Sequence, residues 1–395
     1  MDVKEDPSPP GARAGRYIRQ PTGYRAFIPA PLPPQPPLNL TGEIAALLSK
    51  ADRALGRLDG SVLTLPNPDL FVFMYVRKEA VLSSQIEGTQ SSLQDLLSAE
   101  AQLFDLGLPR DVDEVLNYVR AMKHGLGRLE ELPVSVRLIR EIHAQLMEGV
   151  RGGRLQPGEL RTSQNWIGPA GCTLATATFV PPPHHEVPLA LSDLERFLHA
   201  PDALPPLIKI ALAHVQFETI HPFLDGNGRV GRLLVTFLLT ECGVLHKPVL
   251  YLSHYFKQHR QAYYDHLQSV RERGDWEGWL SFFLHGVIEV AGEAAGTARR
   301  ILQLREQHRA TITEHLGRAA GNGHRVLESL FDRPIVSVAD VQKLTGTTFA
   351  AANTLVSRLV QHGVLHEMTG YARNRRFRYA PYIALFNDSP PVEPA

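Results

Sequence analysis

The twelve residues HPFLDGNGRVGR, His221 to Arg232, bring together side chains that could do chemistry on a phosphate ester. Arg229 and Arg232 stand three positions apart, so both guanidinium groups can lie on one face of a helix and share an anion. Asp225 is a hard oxygen ligand suited to Mg²⁺, and His221 is the residue type most easily used as a general base near neutral pH. The combination predicts a site for a metal-bound nucleoside phosphate.

Two helices must position these groups. The apolar run IALAHV predicts a helix that ends near His221, and RVGRLLVTFLLTECG predicts a second helix that begins near Gly228. The start of a helix offers unpaired N–H groups and the positive end of the helix dipole, which together favour a phosphate. The glycines let that anion approach the backbone.

Other interpretations of the same residues are less consistent with their context. Gly226, Gly228 and Gly231 spell G-x-G-x-x-G, but no acidic residue follows about 20 positions later, as a dinucleotide-binding fold requires. A P-loop is excluded because the Lys-Ser/Thr ending is missing. A histidine at a helix end and two solvated arginines are each common as purely structural features, whereas their joint occurrence favours a functional site.

HPFLDGNGRVGR resembles the signature of Fic-domain proteins at every fixed position. The resemblance extends over about residues 25 to 290. GELRTSQNWIG with CTLATATFVPPP is similar to the family's target-binding flap, and PVLYLSHYFKQHRQAYYDHLQSVRERGDWEGWLSFFL resembles its downstream helices. It implies an all-helical core and an enzyme that transfers AMP from ATP to a Ser, Thr or Tyr hydroxyl of a protein, with Mg²⁺.

The resemblance also implies roles for individual residues. His221 would deprotonate the attacking hydroxyl, Asp225 would hold Mg²⁺, and Asn227 would cradle phosphates with the backbone from Gly226 to Gly228. Arg229 would steady the α/β oxygens while Arg232 grips the γ-phosphate. The residues expected to contact the nucleotide are Gly226, Asn227, Gly228, Arg229, Val230, Gly231, Arg232 and Tyr263. Tyr263 would close the adenine pocket. The alternative is a core position, which is equally consistent with an aromatic residue at helical spacing.

A second stretch, SSQIEG, is similar to the family's inhibitory pattern. Ser83 stands four residues before Glu87, which precedes Gly88, so Ser83 can steady Glu87 on one helical face. The Glu87 carboxylate would pair bidentately with Arg232 and occupy the position of the γ-phosphate. In some relatives this glutamate also helps to remove AMP, which the sequence here does not decide.

The segment CTLATATFVPPP is rich in β-branched residues and closed by prolines, which predicts a small exposed hairpin. Its edge would align a target segment by backbone pairing, with little side-chain specificity. The alternative is a plain surface hairpin. The predicted flap residues are Thr176, Ala177, Thr178 and Phe179.

The fold class predicted for the chain is mainly α, with a Fic-type helical core, a small hairpin flap and a C-terminal winged helix-turn-helix. Residues 1–40 are proline-rich and predict an extended lead-in, and residues 41–110 predict helices that follow a Thr41 cap and include the inhibitory helix. Residues 111–290 would form the catalytic core and residues 291–395 the winged helix-turn-helix domain.

The C-terminal region predicts three short helices followed by a wing with a basic tip. Residues 296–380 hold 13 Lys and Arg against 6 Asp and Glu, which permits contacts to DNA phosphates. The predicted phosphate-contacting residues are Arg373, Arg375, Arg376 and Arg378. Protein contacts, such as those of a homodimer, are the alternative use of this region.

Composition limits the remaining functions. The whole chain has 395 residues and a net charge of zero, so it has no overall attraction to nucleic acid or to anionic membranes. It shows no signal-peptide pattern and no long apolar run, so we expect a cytoplasmic protein without a membrane partner. Two functions compete: an adenylyltransferase that modifies target proteins or itself, and a DNA-binding regulator whose Fic fold only senses ATP.

Overall fold

The computed structural model describes residues 13–65, 68–103, 108–150, 152–153, 155–169, 171–201, 204–371 and 373–386. Helices dominate these ranges, and the strands are short, which confirms the predicted mainly α class. None of the described helices is both long enough and apolar enough to cross a membrane.

The proline-rich segment begins with a β-hairpin that the sequence did not predict. Strands β1 (Gly15–Arg19) and β2 (Arg25–Pro29) pair antiparallel, with Tyr17 opposite Phe27. The prediction of an extended lead-in over residues 1–40 was therefore incomplete. The hairpin contacts the segment around Val180, where the Phe27 N–H donates to the Val180 oxygen over 2.9 Å.

Three helices follow the hairpin: α1 (Gly42–Leu63), α2 (Pro68–Ile86) and α3 (Leu93–Glu100). Thr41 does occupy the N-cap position of α1, as predicted. Its hydroxyl, however, donates to Asn39 Oδ1 over 2.6 Å and caps no helix N–H. The N-terminus of α3 has the capping box that α1 lacks, formed by Ser92 and Asp95.

The central helices enclose the predicted catalytic motif. Their bounds are α4 (Val112–Arg128), α5 (Val136–Leu146), α6 (Val187–His199), α7 (Pro206–Ile220), α8 (Asn227–Glu241), α9 (Ser253–Gln258) and α10 (Arg260–Arg273). Helix α7 is buried on nearly all sides, and its buried side chains include the polar groups of His214, Gln216 and Glu218. Helices α7 and α8 therefore form the centre of the core, and the turn between them carries the motif. The predicted helix boundaries near His221 and Gly228 are confirmed.

One long helix, α11 (Trp276–Leu316), connects the core to the C-terminal region. Asp275 caps its start by accepting the N–H of Gly278 over 3.0 Å. The helix packs along α1 and runs through the domain boundary predicted at residues 290/291. Any division of the chain there would fall inside a continuous helix.

The C-terminal elements are α12 (Ala320–Asp332), β3 (Ile335–Ser337), α13 (Val338–Thr345), α14 (Phe349–Gln361), β4 (His366–Glu367), β5 (Arg376–Arg378) and α15 (Ala380–Ala384). The strands form an antiparallel sheet in the order β3-β5-β4. The predicted three helices and strand pair are present, while the winged helix-turn-helix stays a prediction. Arg378 of β5 donates to Gln94 of α3 over 2.8 Å, so this region contacts the N-terminal helices.

Candidate functional site

His221 lies at the end of α7 in a left-handed conformation, with φ 49°. Its Nδ1 atom is 3.3 Å from the main-chain oxygen of Glu218. A carbonyl can only accept, so this contact assigns the proton to Nδ1 and leaves the lone pair on Nε2. Burial, reinforced by the nearby charges of Arg271 and Arg161, lowers the pKa of His221 to about 3. The imidazole is therefore unprotonated at neutral pH, as a general base must be.

The turn after His221 is held by Asn227, whose side chain is 2% exposed. Its Oδ1 accepts the N–H of Phe223 over 2.9 Å, and its Nδ2 donates to the Phe223 oxygen over 2.8 Å. Both ends of the amide are thus used inside the turn. The Asn227 side chain therefore shapes the loop, and its part in cradling phosphates stays a prediction.

Two further residues of the predicted nucleotide contact set face the core. Val230 is 1% exposed, and its N–H donates to Gly226 within the helix. A Cβ on Gly231 would lie 2.3 Å from Glu218 Oε1, so Gly231 is a packing position between α8 and α7. Free N–H groups are confined to the first turn of α8, so a nucleotide contact by Val230 or Gly231 stays a prediction.

Arg229 and Arg232 are both buried but have different partners. Arg229 Nη1 lies 3.1 Å from Glu114 Oε2, and its Nε has no hydrogen-bond partner among the described residues. Arg232 donates from Nε to Ser83 Oγ over 2.8 Å and from Nη2 to Glu87 Oε1 over 2.7 Å. The predicted inhibitory residues therefore do contact the motif.

Glu87, just beyond the end of α2, places its carboxylate over the first turn of α8. A Cβ on Gly228 would lie only 2.4 Å from Glu87 Oε1. Burial by itself raises the pKa of Glu87, but the charge and hydrogen bond of Arg232 outweigh it, helped by the charge of Arg229, so the pKa is lowered. The carboxylate is thus an anion at the helix N-terminus, the position that suits a phosphate.

Two details of the inhibitory prediction need correction. The contact between Glu87 and Arg232 is a single hydrogen bond rather than a bidentate pair, because Arg232 Nη2 is shared with the Ser83 oxygen at 3.0 Å and Nε is used by Ser83 Oγ. Ser83 therefore steadies Arg232, not Glu87. Gly88 adopts φ 99°, a conformation that favours glycine and ends the helix beside Glu87.

Asp225 has a side chain that is 42% exposed, and its Oδ1 accepts the N–H of Gly226 over 2.6 Å. The described residues contain no cluster of three or more metal-ligating side chains. One accessible carboxylate beside an anion-binding helix start nevertheless fits Mg²⁺, which commonly keeps several waters and is held by one or two carboxylates together with substrate phosphates. Asp225 is therefore suited to hold a metal that arrives with a nucleotide.

His143 of α5 is a functional residue that sequence reasoning missed. Its Nδ1 accepts the N–H of Gly158 over 2.8 Å, and its Nε2 donates to the Asp225 oxygen over 3.0 Å. The ring also stacks on Phe223, with ring centroids 3.7 Å apart. Burial lowers the pKa of His143 to about 4, so the neutral ring holds the motif turn. The only signal in the sequence was a histidine in an apolar helix pattern.

Tyr263 does not line an adenine pocket. It is 1% exposed, and its hydroxyl lies 2.9 Å from His214 Nε2 inside an aromatic cluster with Phe256 and Trp279. The structure therefore supports the alternative in which Tyr263 is a core residue. The next residue, Tyr264, is 37% exposed, and the charges of Glu87 and Arg232 act on its hydroxyl. The same two charges act on the Tyr263 hydroxyl as well, so Tyr264 differs from Tyr263 by its exposure to solvent.

The predicted flap is less regular than a hairpin. Within the described residues 161–169 and 171–180, one isolated bridge pairs Ile167 with Phe179, and Thr176 bonds to Thr173 in a turn. Phe179 is 2% exposed and packs on Phe27, so its side chain is part of the support. Thr176, Ala177 and Thr178 lie on the outer part of the loop. The N-terminal hairpin packs on this loop through Phe27, whose ring contacts Phe179.

Two buried arginines tie this loop to the end of α7. Arg161 donates to the main-chain oxygens of His221, over 2.9 Å, and of Pro182. Arg271 donates to the Glu218 oxygen over 3.1 Å, and its guanidinium lies 4.0 Å from the Phe179 ring centroid. Sequence reasoning missed both arginines, because each is far from His221 in the chain.

Two family models match the chain: Fic/DOC family N-terminal over residues 45–127, and Fic/DOC family over residues 133–239. Among curated proteins, "Protein adenylyltransferase Fic" of Aedes aegypti is 31% identical over 198 residues, which cover 49% of this chain and 35% of that protein. The protein of the same name from Drosophila erecta is 29% identical over 197 residues. The aligned region thus spans about a third of the length of these relatives.

Solved structures show the same fold. A Fic family protein from Desulfovibrio desulfuricans G20 superimposes with a TM-score of 0.56 at 20% identity, covering 87% of this chain and 98% of that one. A Fic domain containing signaling protein from Bacteroides thetaiotaomicron has a TM-score of 0.51 at 19% identity, covering 63% and 97%. At these identities the likeness concerns the fold alone.

Proposed function

We propose that the protein, whose residues 45–127 and 133–239 match Fic/DOC family models, transfers AMP from ATP to a Ser, Thr or Tyr hydroxyl of a target protein. The observation that carries the proposal is the Glu87 carboxylate over the first turn of α8. A carboxylate that accepts from Arg232 beside an unprotonated His221 marks a site for a phosphate next to a base.

The residues of the site divide the reaction between them. Nε2 of His221 takes the proton of the target hydroxyl, whose oxygen attacks the α-phosphorus while the bond to pyrophosphate breaks. The N–H groups at the start of α8 and the guanidinium of Arg229 stabilise the charge on the phosphates. Asp225 would hold Mg²⁺, which neutralises phosphate charge when bound. Tyr264, rather than Tyr263, would contact the adenine.

Autoinhibition follows from the same contact. Arg232 is the cation that would bind the γ-phosphate. In this structure its Nη2 donates to Glu87 Oε1 over 2.7 Å. Two anions cannot share this small, buried space without strong repulsion. ATP must therefore displace the Glu87 carboxylate before its triphosphate can extend into a productive position.

The outer part of the flap would align the target. Backbone groups near Thr176 to Thr178 lie at the edge of the loop that is fixed by the Ile167–Phe179 bridge. Backbone pairing there would place a target hydroxyl with little demand on the neighbouring side chains. Many different proteins could therefore present a suitable segment, including another copy of this chain.

Labelled ATP tests the proposed reaction. A Glu87→Gly variant incubated with Mg²⁺ and a cell lysate is expected to pass label from the α-phosphate into protein, whereas label from the γ-phosphate leaves with pyrophosphate. Autoradiography of a gel, followed by mass spectrometry of the labelled band, measures both. Label from the γ-phosphate in protein would instead identify a phosphoryl transferase, and label from neither would contradict the proposal.

A DNA-binding regulator whose Fic fold senses ATP is the second candidate function. The observation in its favour is the excess of seven positive charges over residues 296–380, in a region whose order of helices and strands suits a winged helix-turn-helix. Three of the four proposed arginines have protein partners, however. Arg375 contacts Glu367 at 3.6 Å, Arg376 contacts Asp340 at 3.6 Å, and Arg378 bonds to Gln94.

We therefore expect the protein not to retard a random DNA duplex in a gel shift, even at low ionic strength. The exposed apolar side chains of Leu344 and Phe349, 43% and 57% exposed, suit a protein contact better than a phosphate. Retardation that weakens as salt is raised would favour the DNA-binding function. Its loss in an Arg373→Ala variant would then locate the contact on the exposed arginine of the wing.

A further inference from the structure

Arg271, near the end of α10, reaches the carbonyl that orients the proposed base. Its side chain is buried, and Nη2 donates to the main-chain oxygen of Glu218 over 3.1 Å while Nε donates to Thr219 Oγ1 over 3.2 Å. The same Glu218 oxygen lies 3.3 Å from Nδ1 of His221. A carbonyl has two lone pairs and can accept both donors, so Arg271 and His221 meet at one atom.

The Arg271 guanidinium also contacts the flap. It lies 4.0 Å from the centroid of the Phe179 ring, a cation–π contact inside the protein. The backbone of Phe179 forms both hydrogen bonds of the bridge to Ile167, at 3.0 and 2.8 Å. One side chain therefore touches both the carbonyl that orients the base and the loop proposed to align the target.

We propose that Arg271 is a positioning residue for AMP transfer: it fixes the Glu218 carbonyl that orients His221 and, through Phe179, sets the distance between this base and the bound target. The inference rests on the proposed transferase function. In this proposal the hydrogen bonds of the Arg271 guanidinium position the base, and the contact of the guanidinium with the Phe179 ring positions the target segment.

The charge of Arg271 has a separate consequence. The charged groups that act on His221 are Arg271 and Arg161, which lower its pKa, and Glu87, which raises it; the main-chain oxygen of Glu218 accepts from its ring and also raises the pKa. Bound triphosphate brings several negative charges to the same place and would favour a protonated imidazole. Arg271 opposes that protonation and keeps Nε2 available for the target hydroxyl.

Variants at Arg271 test the proposal in the Glu87→Gly background, so that Glu87 influences none of the comparisons. Arg271→Gln removes the charge, and because burial is the larger cause of the low pKa of His221, we expect that pKa to rise by roughly one pH unit. An NMR titration of the His221 ring without ATP measures this directly. The acid limb of kcat/KM should move upward by a similar amount. Arg273→Gln, an exposed site on the same helix, is the matched control.

Arg271→Lys keeps the charge and loses the planar fork that stacks on Phe179. It should leave the His221 titration near that of the parent and raise KM for the target, and Phe179→Leu should also raise KM without moving the acid limb. Equal loss of rate at every pH, with an unchanged His221 titration in Arg271→Gln, would show a merely structural role. Because the titration needs no turnover, it stays decisive for the charge effect even if AMP transfer is absent. Thermal melting identifies a variant that fails to fold, and Arg271→Lys then carries the test.

Discussion

Glu87→Gly is expected to raise the rate of AMP transfer by about 10- to 1,000-fold, the range in which a minor competent state becomes the dominant one. In the parent, the Glu87 carboxylate accepts a hydrogen bond from Arg232 Nη2 over 2.7 Å and lies against Gly228 at the start of α8. Removing it frees the cation and the helix N-terminus together. Transfer of label from α-labelled ATP, measured as an initial rate, reports the change.

Related variants separate charge from space at the same position. Glu87→Gln keeps the shape and removes the charge, so it should activate the enzyme less than Glu87→Gly does. Ser83→Ala deletes the acceptor of Arg232 Nε and should activate weakly, because the Glu87 contact persists. Glu131→Gly removes another carboxylate that pairs with an arginine, Arg128, at the surface, and should change nothing. A rate for Glu87→Gly equal to that of the parent would contradict autoinhibition.

The geometry of the motif could be predicted because it is local. His221 ends one helix and Asn227 begins the next, so the periodicity of the flanking apolar residues is enough to place the turn. The same reasoning could not decide which way each side chain points. Asn227 and Tyr263 are of types that bind nucleotides, but both satisfy their polar atoms inside the protein.

The supports of the site could not be predicted, because their contacts cross the chain. His143 meets Asp225 from 82 positions away, and Arg161 meets the His221 oxygen from 60. No period in the sequence encodes such pairs, since each depends on how whole helices pack. The contact of Glu87 with Arg232 also spans 145 positions, and only the family pattern pointed to it.

The ends of the proposed domains illustrate the same limit. Proline content suggested an extended segment before residue 41, yet Tyr17 and Phe27 pair across a hairpin that supports the flap. A change in composition near residue 291 suggested a boundary, whereas α11 continues through it to Leu316. Composition reports how a segment differs from its neighbours, but it does not report whether the backbone hydrogen bonds continue.

His221→Ala in the Glu87→Gly background is expected to lower the rate of AMP transfer by about 10²- to 10⁴-fold, the usual contribution of a general base. The loss should appear in kcat, because the side chains proposed to bind phosphate, Arg229 and Arg232, are unchanged. Binding of ATP, measured by calorimetry, should therefore be close to that of the background protein. This combination distinguishes a missing base from a collapsed nucleotide site.

A matched histidine completes the design of the His221→Ala experiment. His185 has a side chain that is 62% exposed and lies outside the motif, so His185→Ala should keep the full rate. The titration of His221 predicts one further property of the active protein. Since burial and two arginines hold its pKa near 3, the rate should not fall between pH 8 and pH 6 through protonation of His221 in the free enzyme. Full activity in His221→Ala would remove the base from the mechanism and leave an ATP sensor as the better account of the fold.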